Sequence, residues 1–115
     1  MLNPELKHAI RTLRSASKKR DEAIWAKLAD ELDKPKRRRI SLNLGDINRH
    51  SKSGDIVAVP GKVLASGSLG HPVKVAANAF SDEAKKKIEF AEGSAIRLLD
   101  LLEDGTHPSA VKILK

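Results

Sequence analysis

The stretch that decides the fold is DIVAVPGKVLA, residues 55–65. Its first half, Asp55 to Val59, is short, apolar and rich in β-branched side chains, a pattern typical of a buried strand. Pro60-Gly61 predicts a turn after that strand, and Lys62 to Ala65 predicts a second short extended piece. The middle of the chain is therefore expected to contribute to a sheet.

Further elements are predicted on the C-terminal side of this stretch. Ser66–Gly70 is a loop of small residues, and Val73–Ala77 is strand-like. Ser81-Asp82-Glu83 predicts the start of a helix, because the two acids lie in the first turn, where the helix macrodipole favours negative charge. Val111-Lys112-Ile113 alternates between apolar and polar residues and predicts a closing strand.

Residues 94–104 carry two conflicting patterns. Ile96, Leu99 and Leu102 recur at helical spacing. Residues 95–98 are also compatible with the start of a strand. The residues alone leave both interpretations open.

Two amphipathic helices are predicted on the N-terminal side. Asn3 is the expected N-cap of the first helix, with Pro4 at its first position, and Asp21 is the expected N-cap of the second. Trp25 is expected to pack in the core against the first helix. Pro35 ends the second helix, because the residue before a proline is pushed out of the α region. The apolar faces are Leu6, Ala9, Ile10, Leu13 and Ala16 in the first helix, and Ile24, Trp25, Leu28, Ala29 and Leu32 in the second.

A basic stripe runs beside the apolar face of the first helix. Lys7, Arg11, Arg14 and Lys18 fall within about 60° of each other on a helical wheel. Such a stripe is either a solvated helix face or a ridge that faces phosphates, and the sequence does not choose between them.

Length and composition exclude several classes of protein. The chain has 115 residues, which predicts a single domain over residues 1–115. The absence of cysteine excludes disulfides, thiolate nucleophiles and cysteine-based metal sites. The few aromatic residues argue against a binder that stacks single-stranded bases on an aromatic platform. No apolar run approaches the roughly 18 residues of a membrane span, so we expect a soluble intracellular protein.

The net charge of +7 is concentrated in the middle of the chain. Residues 34–80 carry 9 basic and 2 acidic residues, whereas residues 1–33 carry 7 and 6, and residues 81–115 carry 6 and 7. A concentrated positive region predicts a polyanionic partner, in the first place a nucleic acid. A solvated basic loop is the alternative.

The densest charge is KPKRRR, residues 34–39, called here the basic run. In isolation it would be a solvated linker or a targeting signal. Ile40–Leu44 follows at once with alternating apolar and small polar residues, so the basic run is tethered to a folded element. That tether favours a positioned phosphate clamp. A short helix from Gly45 or Asp46 to His50 is expected next, with Asp46 as a possible N-cap.

The motifs tested for catalysis or metal binding fail. The four histidines share no ligand spacing. Gly61-Lys62 lacks both the upstream glycine and the following Ser or Thr of a phosphate-binding loop. Gly67-Ser68-Leu69-Gly70 is best interpreted as a tight turn, and Asp46 and Asp55 as capping and turn residues. We therefore expect no enzyme activity, no cofactor and no metal.

Two motifs resemble the signatures of one protein family. Residues 34–44, KPKRRRISLNL, and residues 57–67, VAVPGKVLASG, resemble the archaeal and eukaryotic large-subunit ribosomal protein family eighteen-e. That family is related to bacterial large-subunit protein fifteen. Asn3-Pro4, the Trp in the second helix and the Val-Lys-Ile end also fit. The resemblance covers nearly the whole chain, and the short length looks archaeal.

The resemblance implies a structural rRNA-binding protein of the large subunit with an α/β (α+β) fold. N-terminal helices over residues 1–33 would precede a basic RNA-facing part over residues 34–52. A compact body of short strands and helices in irregular β-β-α turns would occupy residues 53–115. Within that body the resemblance makes residues 94–98 strand-like before a short helix.

The resemblance also implies the partners and the RNA-facing residues. The partners would be large-subunit rRNA and neighbouring ribosomal proteins in the cytoplasm, with no membrane and no small-molecule substrate. We expect a monomer outside the ribosome. The first motif contributes Lys34, Lys36, Arg37, Arg38, Arg39 and Asn43, the second contributes Lys62, Ser66 and Gly67, and charge and proximity add Arg49, His50 and Lys52.

Three other functions remain as alternatives. A DNA-binding helix-turn-helix protein is the chief one, although its second helix would expose mainly Lys27, Asp30 and Glu31, a poor match to phosphates or base edges. A small RNA nuclease would need an acidic cluster or paired histidines. A protein-binding scaffold would associate with its partner without salt dependence.

Overall fold

The computed structural model describes residues 4–35 and 40–115. The predictions for Asn3 and for Lys36 to Arg39 lie outside the described residues. The helices are α1 Pro4–Arg20, α2 Ala23–Leu32, α3 Leu44–Arg49, α4 Asp82–Phe90 and α5 Leu98–Glu103, with one 3-10 turn at Pro108–Ala110. The strands are β1 Ile40–Asn43, β2 Ile56–Leu64, β3 Lys74–Phe80, β4 Ser94–Arg97 and β5 Val111–Ile113.

The strands form one sheet in which every pairing is parallel. β3 lies along one side of β2, and β4 lies beyond β3. Two strands share the other side of β2. β5 pairs with Ile56–Ala58, and β1 pairs with Gly61–Leu64. The mixed α/β fold class expected from the sequence is therefore confirmed.

The predicted turn at Pro60-Gly61 is wrong, because β2 runs straight through both residues. Its pairing with β3 shifts register between Val59 and Lys62. Pro60 falls between the end of the β5 pairing and the start of the β1 pairing. Its missing N–H therefore removes no bond from either ladder, which is where a strand tolerates proline.

Helices cover the sheet on both faces, which explains why β2 is apolar without alternation. Ala58 and Ala76 face α1, α2 and α5. Val57, Val59 and Val75 face α3 and α4. The small alanine side chains let the first group of helices approach the sheet closely.

Trp25 packs in the first of these two cores, as predicted, and is fully buried. Its indole Nε1–H donates to the Glu22 carboxylate at 2.7 Å. The prediction that Asp21 caps α2 is wrong. Glu22 holds the N-cap position, while Asp21 adopts a φ of 53° in the turn after α1.

The start of α3 also differs from the prediction. The helix begins at Leu44, with Asn43 as its N-cap. Asp46 lies in the first turn, where its carboxylate accepts the main-chain N–H of Asn43 at 3.1 Å. An acid at this third helical position stabilises the helix start in the same way as one half of a capping box.

The ambiguity at residues 94–104 is resolved in favour of a strand followed by a helix, as the family resemblance implied. Ser94–Arg97 pairs with Lys74–Ala77, and Leu98 begins α5. Ile96 therefore belongs to the sheet, and only the later leucines follow a helical period. The helix at Ser81 is confirmed, because the Ser81 hydroxyl accepts the N–H of Ala84 at 3.2 Å. In the part of the chain that the structure describes, no helix is both long and apolar enough to cross a bilayer.

Gly61 is a position where β1 leaves no room for a side chain on β2. A Cβ at Gly61 would overlap the main-chain carbonyl oxygen of Ile40. We expect Gly61→Ala to displace β1 and to lower the free energy of unfolding by about 2 kcal/mol or more, within the range of overpacked cores. Urea denaturation measures the change.

Gly70→Ala is the matched control. The nearest heavy atom to a Cβ at Gly70 is the Asn48 Oδ1 atom at 3.7 Å, an ordinary contact. We expect this variant to stay within about 0.5 kcal/mol of the wild type. Equal stabilities for the two variants would show that the approach of β1 to β2 does not need a glycine.

Candidate nucleic-acid interface

The N-terminal end of the basic run is held by one carboxylate. Lys34 Nζ lies 2.7 Å from Glu31 Oε2. Lys115 Nζ lies 3.0 Å from Glu31 Oε1. The Glu31 side chain is only 12% exposed. The end of α2 and the last residue of the chain are therefore held together by the same acid.

The C-terminal end of the basic run enters the sheet at Ile40. Ile40 lies opposite Gly61, and Ser41 lies opposite Lys62. Neighbouring strands are about 4.8 Å apart. The exposed Lys62 therefore lies beside the point where the basic run joins β1.

Four of the predicted residues meet at the other end of β1. Asn43 ends that strand, and the Arg49 guanidinium forms an ion pair with the Asp46 carboxylate. The Ser66 carbonyl oxygen accepts the N–H of Gly45 at 3.1 Å. A Cβ at Gly67 would lie 2.8 Å from the Gly45 Cα atom, and Gly67 has a φ of 85°. The same backbone position thus requires glycine for both space and conformation.

These residues and Lys62 follow one edge of the sheet, which we call the β1 strip: Lys34, Ile40 to Asn43, Arg49, Lys62, Ser66 and Gly67. A four-residue strand spans about 10 Å between its first and last residues. Lys62 lies beside Ser41 of this strand, and Arg49 lies on α3, which begins directly after Asn43.

His50 lies in a depression beside β1. It lines this space of about 230 Å³ together with Leu42, Asp46, Leu114 and Lys115. The His50 carbonyl oxygen accepts from Lys112 Nζ at 3.3 Å. His50 is therefore grouped with cations from the C-terminal end of the chain.

The observed contact of Lys52 is made by its main chain. Its N–H donates to Asp55 Oδ2 at 2.8 Å, and this bond, followed by the Lys112 ammonium group, lowers the pKa of the Asp55 carboxyl from its ordinary value. Asp55 is thus a turn residue and Asp46 a residue of a helix start, as predicted. The bond fixes the loop but does not bring the Lys52 ammonium group to the β1 strip.

The ion pairs of the strip leave their cations accessible. The Lys34 side chain is 45% exposed and the Arg49 side chain 66%. Because water reaches the cation of each pair and screens it, such pairs contribute about 1 kcal/mol or less. A phosphate can therefore compete with Glu31 and Asp46 for these two cations.

Three lysines of the site were missed from the sequence. Lys87 Nζ donates to the carbonyl oxygens of Ala65 and Gly67 at 2.9 and 3.1 Å, which holds the small-residue loop in place. Lys112 and Lys115 reach the site because β5 pairs with β2. The alternation at Val111–Ile113 predicted a strand but not its neighbour, so no local signal could place these lysines.

The basic stripe of α1 forms a second, separate surface. It lines a groove of about 500 Å³ with Ile10, Ser15 and Asp33. Arg14 forms ion pairs with Asp30 at 3.2 Å and with Asp33 at 3.1 Å, and these bonds raise its pKa. One of the four cations is thus neutralised by α2, and both interpretations of the stripe stay open.

A parallel α/β body with exposed cations beside one edge strand is a geometry suited to polyanion binding. A family model matches residues 25–96, and its description names the ribosomal proteins 50S-L15 and 50S-L18e together with the 60S protein twenty-seven-A.

Three archaeal proteins, each named large ribosomal subunit protein eL18, match most of the chain. The protein of Methanothermobacter thermautotrophicus is 42% identical, and the match covers 98% of this chain and 93% of the relative. The protein of Sulfolobus acidocaldarius is 45% identical, over 83% and 80% of the two chains. That of Archaeoglobus fulgidus is 39% identical, over 97% and 96%.

The chain therefore belongs to the ribosomal protein family that includes 50S-L15 and 50S-L18e. The resemblance inferred from residues 34–44 and 57–67 is confirmed. The family is one of ribosomal proteins, which is not an enzyme class.

Glu31 makes the anchoring of the basic run sensitive to acid. Hydrogen bonds from Lys34 and then from Lys115 lower the Glu31 pKa below its ordinary value of 4.5. A lowered carboxyl pKa stabilises the fold above its unfolded-state pKa, and this contribution is lost as the pH falls through the folded-state pKa. We expect Glu31→Gln to lower the free energy of unfolding at pH 7 by about 1 kcal/mol or less.

The difference in the free energy of unfolding between wild type and Glu31→Gln should shrink as the pH falls below 4.5 and vanish below the folded-state pKa of Glu31. Urea denaturation at a series of pH values measures it. Glu89→Gln, an exposed change on α4, is the control and should leave the pH profile unchanged. A difference for Glu31→Gln that stays constant with pH would contradict the role given to the Glu31 carboxylate.

Proposed function

We propose that this protein is a structural constituent of the large ribosomal subunit that binds folded rRNA through its basic central part. Membership of the ribosomal protein family supports the structural role. The observation that carries the RNA-binding role is the anchoring of the basic run at both ends. Glu31 holds its first residue, Lys34, and the β1 pairing with β2 holds the residue that follows it, Ile40.

The mechanism is electrostatic. Folded rRNA brings phosphates of different strands close together, and their repulsion opposes the fold. Cations placed at such a junction reduce the repulsion, and binding releases the counterions that would otherwise do so. Arginine suits this role because its planar guanidinium group can bind two phosphate oxygens or stack on a base. Anchoring both ends of the run limits the entropy lost when RNA orders its side chains.

The residues around the basic run are suited to recognising the phosphate backbone and the shape of a folded RNA. The β1 strip offers cations and small residues to a phosphate chain. Ser66 and Gly67 are exposed, and the short Ser66 side chain lets an RNA backbone come close to the main chain of the protein. Structured RNA is bound largely by such contacts to shape and backbone.

The geometry of α2 does not favour the helix-turn-helix alternative. Trp25, Leu28 and Leu32 bury one face of the helix in the core. On its exposed side, Asp30 forms an ion pair with Arg14. A reading helix that presents an acid to DNA would be repelled by phosphates.

We also propose that the chain has no catalytic role. Within residues 4–35 and 40–115, no group of three or more His, Asp or Glu side chains could hold a metal ion. The acids of the basic region, Asp46 and Asp55, are engaged in holding a helix start and a turn. Labelled rRNA incubated with the protein and Mg²⁺ should remain intact.

Sedimentation in a lysate tests the structural role. A tagged copy of the full chain should move with large ribosomal subunits through a sucrose gradient and stay with them in moderate salt. A chain that remains with the free proteins at the top of the gradient would overturn the proposal.

Substitution of the basic run tests the RNA-binding role. We expect Arg37→Ala/Arg38→Ala/Arg39→Ala to weaken binding to purified large-subunit rRNA. Three lost phosphate contacts should also flatten the slope of log K against log salt by about 2 to 3. Filter binding at several salt concentrations measures both, and thermal unfolding checks that the variant is folded.

The control is Arg37→Lys/Arg38→Lys/Arg39→Lys, which keeps every charge. The slope of log K against log salt for this variant should equal that of the wild type. Its affinity for rRNA should fall if two-pronged guanidinium contacts to phosphates contribute to binding. An alanine variant with unchanged affinity and unchanged slope would remove the basic run from the RNA-binding site.

A further inference from the structure

The phenylalanine at the end of α4 is exposed to solvent. Phe90 is 93% exposed, and among the described residues it is the one large hydrophobic residue left exposed. α4 buries its other face through Ala84 and Ile88. Phe90 therefore adds nothing to the core, and the fold does not account for an aromatic ring at this position.

The ring lies at the edge of an open depression of about 450 Å³. Its lining consists of Ser68, Leu69, Lys86, Lys87 and Phe90. That volume is within the roughly 300–1,000 Å³ of sites that accept a small organic group. Lys86 precedes Phe90 by one helical turn, so the ammonium group and the ring share one face of α4.

The floor of the depression is held in place. Lys87 bridges from α4 to the carbonyl oxygens of Ala65 and Gly67. Leu69, a residue of the same loop, is buried in the second core. The depression is therefore continuous with Ser66 and Gly67, at the end of the β1 strip.

We propose that this depression binds one unstacked nucleotide of rRNA, with its base stacked on Phe90 and its phosphate near Lys86. The inference rests on the proposed function and adds a second contact to it, at the Ser66–Gly67 loop and away from the basic run. Aromatic rings bind the faces of unstacked bases in this way, and a nearby lysine attracts the phosphate.

Charge favours RNA over a protein as the occupant. Among the described residues, the lining contains two lysines and no carboxylate. Lys87 already donates to two carbonyl oxygens, but a hydrophobic protein surface on Phe90 would remove the Lys86 ammonium group from water without giving it a partner, which is costly. A nucleotide supplies an apolar face and a negative charge together.

Three substitutions of Phe90 test the site by binding to purified large-subunit rRNA. We expect Phe90→Ala to weaken binding about 5- to 100-fold, the range of one base stacked on one aromatic ring. The salt slope should not change, because the ring carries no charge. Phe90→Trp should keep wild-type affinity, whereas Phe90→Leu should behave as Phe90→Ala. The high exposure of Phe90 means that all three variants should unfold at the wild-type temperature.

The outcomes separate this inference from the proposed function. Wild-type protein that does not bind rRNA would overturn both. Wild-type binding with Phe90→Ala unaffected would overturn the nucleotide site alone. Wild-type affinity for Phe90→Leu would show an apolar contact instead of stacking. If Phe90→Ala binds rRNA as the wild type does but enters ribosomal subunits less well, Phe90 contacts a neighbouring protein. This result and the wild-type affinity of Phe90→Leu would each contradict the inference.

Discussion

The rest of the structure depends on the close approach of β1 to β2 at Gly61. The carbonyl oxygen of Ile40 occupies the space that a side chain at Gly61 would need. This contact lets β1 take the place beside β2 that β5 leaves free, so β2 is paired on both sides along most of its length. It also determines where the basic run enters the folded body, beside Lys62. A constraint of packing therefore sets the position of the charges.

The protein's own acids hold the site in place and do not cancel its positive charge. Glu31 joins two lysines at one end of the basic run, Asp46 holds the start of α3, and Asp55 holds a turn. Each bond fixes main chain or side chain at the edge of the site. The cations they hold remain exposed to solvent, so a phosphate can replace or supplement the carboxylate. A rigid body with accessible cations loses little conformational entropy when it meets a folded polyanion.

Local sequence patterns predicted the elements better than their arrangement. The β-branched run before Pro60, the burial of Trp25 and the Ser81 cap could each be predicted, because a few neighbouring residues determine them. The passage of β2 through Pro60-Gly61 could not, because it depends on two other strands that share one side of β2. The strand at Ser94–Arg97 was suggested by family resemblance where periodicity was ambiguous.

The candidate site was likewise predicted only in part from the sequence. Asn43, Arg49, Ser66 and Gly67 were predicted, and the structure brings them together at the end of β1. Lys87, Lys112 and Lys115 were missed, because only long-range contacts bring them to the site. The RNA-binding roles of all these residues, and of Lys36 to Arg39, remain predictions.

The central claim is that anchored cations neutralise crowded phosphates of a folded RNA. Competition between large-subunit rRNA and duplex DNA of equal nucleotide content for the wild-type chain, repeated over a range of salt concentrations, tests it most directly. The claim predicts that rRNA displaces DNA and that log K falls with log salt with a slope steeper than about −2 to −3, the contribution expected from Arg37, Arg38 and Arg39 alone. Equal competition by duplex DNA, or binding that does not change with salt, would contradict it.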